Sequence, residues 1–283
     1  MPNNSRFHHV YARLLQDHPY GWTLYKKFTT DDLYPGCCGY FDSDGDWHYI
    51  VELTAGKDLV TSRGWTAPDD EFKPSSLIWG PKKSRSVISH ELGGEVAANI
   101  SSPISPSPKM VFICEKDEGA VLTIQNPVLR HRIYDESATL KWVKENRVGM
   151  LRRHRKIVEQ HGVWVVNKTY TTARSGVVVM FSNSSTVEIG IGAAVPGMVT
   201  LTPLSSWTSG KGDLATEVHD DSNGVVVFMS GIYFSKKRLR AEVKPVVGTN
   251  AQNGKLFRGG YVEPDSDEFE SENECNGLRI LVV

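Results

Sequence analysis

Several things are missing from this 283-residue chain, and each absence excludes something. No apolar run reaches the length of about 18 residues that a transmembrane helix needs, so none is expected. The first residues, Met1 to Tyr20, are polar, carry Arg6, His8, His9 and Arg13, and lack an apolar signal region. That argues against secretion, and the Asn-x-Ser/Thr matches at Asn3, Asn99, Asn167 and Asn183 are then read as chance. The cysteines Cys37, Cys38, Cys114 and Cys275 form no Cys-x-x-Cys pair. Neither a zinc site nor a redox motif is suggested, and a reducing cytoplasm is the expected compartment. An excess of charge is lacking too: 32 Lys and Arg stand against 33 Asp and Glu. A protein that coats nucleic acid by charge alone is disfavoured, although a local basic patch is not. No internal repeat of fixed period is visible.

Catalytic signatures are absent as well. His219-Asp220-Asp221 sets a base beside two carboxylates, but the stretch reads as a solvated turn and no Gly-x-Ser-x-Gly elbow supplies a nucleophile. Asp42-Ser43-Asp44-Gly45-Asp46 begins like a calcium loop. Trp47 stands where the loop's glycine belongs and Leu53 replaces the terminal glutamate, so a hairpin turn is expected. Gly93-Gly94 opens no phosphate loop. An enzyme is not expected, and no metal or cofactor site is read. Cys37-Cys38 stays open as a buried pair, a reactive thiol or a lipidated site.

What is present is an ordinary globular composition, 40% hydrophobic and 23% charged, enough for a core and unlike a disordered chain. The length suits one large domain or two small ones. The near-neutral balance hides an asymmetry. Residues 259–283 hold Arg279 against Glu263, Asp265, Asp267, Glu268, Glu270, Glu272 and Glu274, a net of −6 that leaves +5 on residues 1–258. The positive charge clusters again over 130–156, and most densely in Arg152-Arg153-His154-Arg155-Lys156. A second cluster is Lys236-Lys237-Arg238-Leu239-Arg240. Such runs are either solvated ends, where cations also suit a helix C-terminus, or contacts for an anionic partner: acidic lipid, nucleic acid, or the chain's own acidic tail. Each Lys or Arg gains about 1 kcal/mol near an acidic membrane. Trp47, beside its charged turn, either dips into a membrane or packs in the hairpin.

Periodicity predicts a short helix over 8–16 and a hairpin over 37–54. Pro103, Pro106 and Pro108 mark a loop. A second hairpin is expected from Met110–Glu115 and Ala120–Gln125 around Asp117-Glu118-Gly119. One long helix is expected from about Glu136 to Gln160 on the stripe Leu140, Val143, Val148, Leu151 and Val158, with Gly162 ending it. Strands follow at 163–171, 176–182, 186–191, 198–204 and 225–234, with turns at 173–175, 183–185, 194–197 and 220–224. Val187, Ile189 and Ile191 alternate with Thr186, Glu188 and Gly190, which predicts one wet and one buried face. Val225 to Met229 is continuously apolar, as expected of a strand covered on both sides.

The basic amphipathic helix is followed by Gly162-Val163-Trp164-Val165-Val166-Asn167-Lys168-Thr169-Tyr170. Then come Val187-Glu188-Ile189-Gly190 and Leu201-Thr202-Pro203-Leu204-Ser205-Ser206-Trp207. That order resembles the pore-forming domain of the gasdermins. Gly224-Val225-Val226-Val227-Phe228-Met229-Ser230-Gly231-Ile232-Tyr233-Phe234 most resembles the fungal gasdermin-like cell-death proteins. The resemblance covers roughly residues 5–245. It implies an α+β fold: a twisted, mostly antiparallel β-sheet with packed helices, plus a short C-terminal segment. It also implies a latent pore former, cytoplasmic at rest and at the cell membrane when active, that binds acidic phospholipids, oligomerises with itself and inserts two β-hairpins. Residues 162–206 would supply one hairpin and 84–125 the other, although 84–125 alternates poorly. In the soluble form their apolar faces must be buried against helices.

On this reading 1–246 is the pore-forming domain, 247–262 an exposed linker and 263–283 a short autoinhibitory segment. Its last residues, Leu278 to Val283, are expected to add to a sheet edge while the Glu-rich run neutralises a basic patch. Lys255, Leu256, Phe257 and Arg258 offer side chains that an activating protease reads, and some fungal members act instead when two allelic variants meet. The lipid contacts implied are Arg152, Arg153, Arg155, Lys156, Lys236, Lys237, Arg238 and Arg240, with no nucleic acid among the partners. Two other readings remain: a non-lytic β-rich binding module whose basic helix holds nucleic acid or a protein, and a hydrolase with a dispersed site.

Overall fold

Two unusually long strands dominate the computed structural model, which describes residues 7–53, 74–92, 109–133, 136–192, 200–201, 207–209, 212–236 and 278–282. In chain order the elements are α1 (Phe7–Leu14), β1 (Trp22–Thr23), β2 (Cys37–Phe41), β3 (Trp47–Glu52), β4 (Ser75–Leu77), β5 (Lys82–Lys83), β6 (Val87–Leu92), β7 (Lys109–Cys114), β8 (Gly119–Ile124) and β9 (Val128–Arg132). There follow α2 (Glu136–Gln160), β10 (Val163–Met180), β11 (Thr186–Gly192), β12 (Thr200–Leu201), β13 (Trp207–Ser209), β14 (Leu214–Lys236) and β15 (Leu278–Val282). Every pairing among them is antiparallel. The molecule is an α+β fold built on a mostly antiparallel sheet.

β10 and β14 pair along nearly their whole length, from Val163 opposite Phe234 to Met180 opposite Leu214. The rest of a ten-stranded sheet is laid on this ribbon. The far edge of β10 takes β2, β9 and β8 in turn. The far edge of β14 takes β1 and β15. A second, five-stranded sheet holds β6, β7 and β11, with β12 and β13 beyond β11.

Two expected turns are not reversals. Ala173-Arg174-Ser175 lies inside β10, and residues 220–224 lie inside β14, where 221–224 face Ala173 alone. The turn chemistry at 221–224 is genuine: Asp221 Oδ1 accepts the Asn223 amide at 3.0 Å and Gly224 has φ +99°. It loops the strand out without reversing it. Segment 27–30 fastens the loop through Lys27 Nζ to Asp221 Oδ2 at 3.0 Å and the Thr30 hydroxyl donating to the Asn223 carbonyl at 3.0 Å. Arg174 is ion-paired to Asp220. A local pattern cannot tell such a bulge from a turn, because the neighbouring strand decides whether the chain comes back.

The hairpin expected over 110–125 does not form. β7 pairs with β6 and β11, whereas β8 pairs with β10 and β5. The connection at Asp117-Glu118-Gly119 passes from one sheet to the other. By contrast the hairpin expected over 37–54 is present from Cys37 to Glu52, closed by the Asp42 amide donating to the Asp46 carbonyl and by Asp42 Oδ1 accepting the Asp44 and Asp46 amides.

α2 lies on the end of the ribbon. Trp142, Val143, Met150 and Val158 are buried against Val163, Val165, Ile232 and Phe234, each worth about 2 kcal/mol of removed apolar surface. The expected stripe is right at Val143 and Val158 and wrong at Val148, which is 54% exposed. Two other cores, around Phe228 and around Met229, cover opposite sides of Val225–Met229, as its unbroken apolar run predicts.

Candidate functional site

Three features are candidates: the outer face of α2, the five-stranded sheet, and the C-terminal strand. On α2 the inner positions are taken by the core, so 3.6-residue periodicity forces the basic run outward. Arg152, Arg153, Arg155 and Lys156 are all exposed, as are Lys141 and Lys144. Arg155 is paired with Glu159 at 2.9 Å, one turn on. The run is not a straight helix, because His154 leaves helical geometry (φ −125°, ψ 31°). Burial, and then Arg153 beside it, push the His154 imidazole down from its usual range, so His154 is the uncharged member of the run at neutral pH.

The other sequence-predicted residues are dispersed. Lys236 ends β14. Lys237, Arg238 and Arg240 lie outside the described residues, as do Lys255, Leu256, Phe257, Arg258 and both expected boundaries near 246 and 262. Trp47 packs within its hairpin: its ring lies 5.0 Å from that of Phe41 and its indole fills the space over Gly39. His219 is not in a solvated turn. It is 5% exposed, paired opposite Ser175, with Nε2 3.1 Å from Glu217. Cys37 and Cys38 are free and fully buried. Burial pushes the Cys37 thiol up to about 12 and the Cys38 thiol well above its usual range. In this state they are core residues, neither reactive nor accessible for lipidation.

The five-stranded sheet holds only part of each hairpin expected over 84–125 and 162–206: β6 and β7 of the first and β11 and β12 of the second, whereas β8 and β10 belong to the ten-stranded sheet. β6 and β7 pair from Val87–Cys114 to Leu92–Lys109. β7 pairs in turn with β11, from Thr186–Ile113 to Gly190–Lys109. Directly opposed residues share a face, so Phe112 lies with Val187, and Met110 with Ile189. Phe112, Val187 and Ile189 are buried, while Thr186 and Glu188 on the other face are partly exposed. The expected alternation in 186–191 is present over these residues. The burying partner differs from expectation. The apolar face joins Val121 of β8 with Val178 and Met180 of β10, so among the described residues strands cover it, not helices.

Sequence reasoning missed one surface cluster. The Tyr40 ring stacks with both His48, at 4.9 Å, and His161, at 5.3 Å. This ties the β2–β3 hairpin to the end of α2. The hairpin register brings Tyr40 and His48 together, but nothing local brings in His161.

The C-terminal strand does add to a sheet edge. β15 pairs with the end of β14, Leu278 opposite Lys236 through Val282 opposite Ile232.

No family model matches the chain, and no curated protein matches it. Among solved structures the chain is similar to the gasdermin A3 membrane pore determined by cryo-EM, at 13% identity and a TM-score of 0.30, with 82% of this chain and 90% of that chain covered.

Proposed function

We propose that this chain is a latent pore-forming protein that docks on acidic phospholipid, assembles with copies of itself and inserts the β6–β7 and β11–β12 hairpins into the membrane. The observation that carries the reading is the five-stranded sheet. It sets two hairpins side by side, on strands separate from the ten-stranded core, with Phe112, Val187 and Ile189 buried on one face; on the other, Thr186 and Glu188 of β11 lie beside Ile113 and Val111 of β7, so only β11 alternates cleanly. A membrane-spanning strand needs about 9–11 residues. β6, β7 and β11 have 6, 6 and 7, so insertion requires them to lengthen into their connections, 93–108 and 193–199.

Self-assembly follows from the sheet's open form. Among the described residues β6 ends it on one side and β12 and β13 on the other. Unpaired edges are not tolerated in hydrocarbon, so one copy cannot enter alone, and copies must join edge to edge until the sheet closes. The exposed basic face of α2 supplies attraction to an anionic surface, with Arg152, Arg153, Arg155 and Lys156 as contacts and 236–240 as a second set. In this reading the C-terminal segment 263–283 represses assembly, and a protease acting in the linker 247–262, with 255–258 as the proposed site, relieves it.

The test is dye release from acidic and from neutral vesicles, with the intact chain and with the chain cut inside 247–262. Release only from acidic vesicles and only after cutting is expected. Absence of release from every vesicle, with either form, overturns the proposal.

A further inference from the structure

We propose that the outer edge of β14 over residues 232–236 is a strand-acceptor site, occupied in cis by Leu278–Val282, whose occupancy depends on the covalent connection 237–277. The consequence for repression rests on the pore-forming reading; the site itself does not.

The pairing geometry carries the proposal. β14 is bonded on one side to β10 from Val163 to Val166, so its inner edge over 231–234 is committed. Its outer edge receives β1 opposite Phe228 and Met229, and no other described strand reaches residues 232–236 except β15. Without β15 that stretch presents an unsatisfied row of backbone donors and acceptors beside a hydrophobic core, since Ile232 and Phe234 are 1% exposed. Such an edge is a template for an extended peptide. The sequence that fills it, Leu278-Arg279-Ile280-Leu281-Val282, is apolar at every position but one. The register sets Val282 opposite Ile232 and Ile280 opposite Phe234. The ligand class is therefore a short, extended, apolar strand running antiparallel to β14.

The connection decides how firmly this strand is held. β14 and β15 are consecutive partners whose paired ends, Lys236 and Leu278, are separated by residues 237–277. A five-residue strand on a single edge has few contacts to hold it as an independent peptide. While the connection is intact, the strand meets its edge at an effective concentration on the order of millimolar. After one cut in 237–277 the same contacts must hold a separate fragment at its bulk concentration. At micromolar protein that is a drop of about a thousandfold. One cleavage thus empties the site without altering any contact in it.

The experiment uses the full chain with a site-specific protease sequence inserted in 247–262. A fluorescent peptide of the sequence 278–283 is added to intact and to cut protein after dilution to micromolar, and its anisotropy is read. The peptide should bind the cut chain at least tenfold more tightly than the intact one. Amide hydrogen exchange over 232–236 should rise on cutting and fall again with excess peptide. A Ser235→Cys, Arg279→Cys pair, directly opposed in the register, should cross-link in the full chain and retain the fragment after cutting. Equal peptide binding to both forms, or unchanged exchange at 232–236 after cutting, overturns the proposal, and the exchange measurement needs no variant. None of these readouts involves vesicles. Peptide binding without dye release would refute the pore reading alone, and dye release without peptide binding would refute only the acceptor site.

Discussion

Gly162 closes α2 with φ +69°, beside the phenol of Tyr233, which donates to the His161 carbonyl at 2.9 Å. A Cβ at this position would run into the Tyr233 ring and would also pay for a left-handed backbone. Gly162→Ala should therefore lower stability by about 2 kcal/mol or more, read as a fall in the urea midpoint with the slope unchanged. An unshifted midpoint would mean that the ring moves aside freely. That a glycine ends this helix was legible in the sequence. That it also makes room for an aromatic ring 71 positions away was not, because residues so far apart meet only through the β10–β14 pairing. The same limit applies to His219, whose neighbours Asp220 and Asp221 suggest a turn while its partner strand buries it.

At the level of elements, α2 separates packing from charge. Its buried side chains hold it on the sheet, and its basic residues point outward. Arg152→Glu with Lys156→Glu should leave the thermal midpoint within about 2 °C, since exposed charges contribute little to stability. The pair should weaken binding to acidic vesicles by roughly fivefold for each charge removed, and more on reversal. Co-sedimentation at two salt concentrations would check this, because the loss must shrink as salt rises. Equal binding by variant and parent would remove α2 from the docking surface. Periodicity located this helix, because 3.6-residue spacing is a local signal, but gave no sign of the break at His154. It misplaced Val148, because which edge of the stripe is buried depends on the angle at which the helix meets the sheet.

For the whole molecule, acid sensitivity follows from where the histidines sit. Burial, with smaller contributions from His9 and Lys26, lowers the His8 imidazole to about 4. Burial is also the largest cause lowering His9, His18, His131 and His154. Each binds its proton more readily unfolded than folded. Between about pH 6.5 and 4 the unfolded chain therefore takes up more protons, and stability falls as the pH drops through that window. His8, at 8% exposure, should by itself remove about 2 kcal/mol between pH 7 and pH 5. Urea unfolding at the two pH values should show the loss, and His8→Gln should reduce it. Equal stability at both would mean that His8 is solvated.

The sequence by itself determined the long basic helix, the hairpin over 37–52, the doubly covered strand at 225–229, the alternation over 186–189 and an apolar C-terminal strand in search of an edge. All of these are written in spacing within a few residues. Only the tertiary structure decided that 163–180 and 214–236 are single strands, that 110–125 divides between two sheets, that strands cover the apolar face of β11, and that β15 settles on β14. Those outcomes depend on which backbone groups find partners across the fold. A bulge and a turn share the same local chemistry, and an edge exists only once its neighbours have been placed.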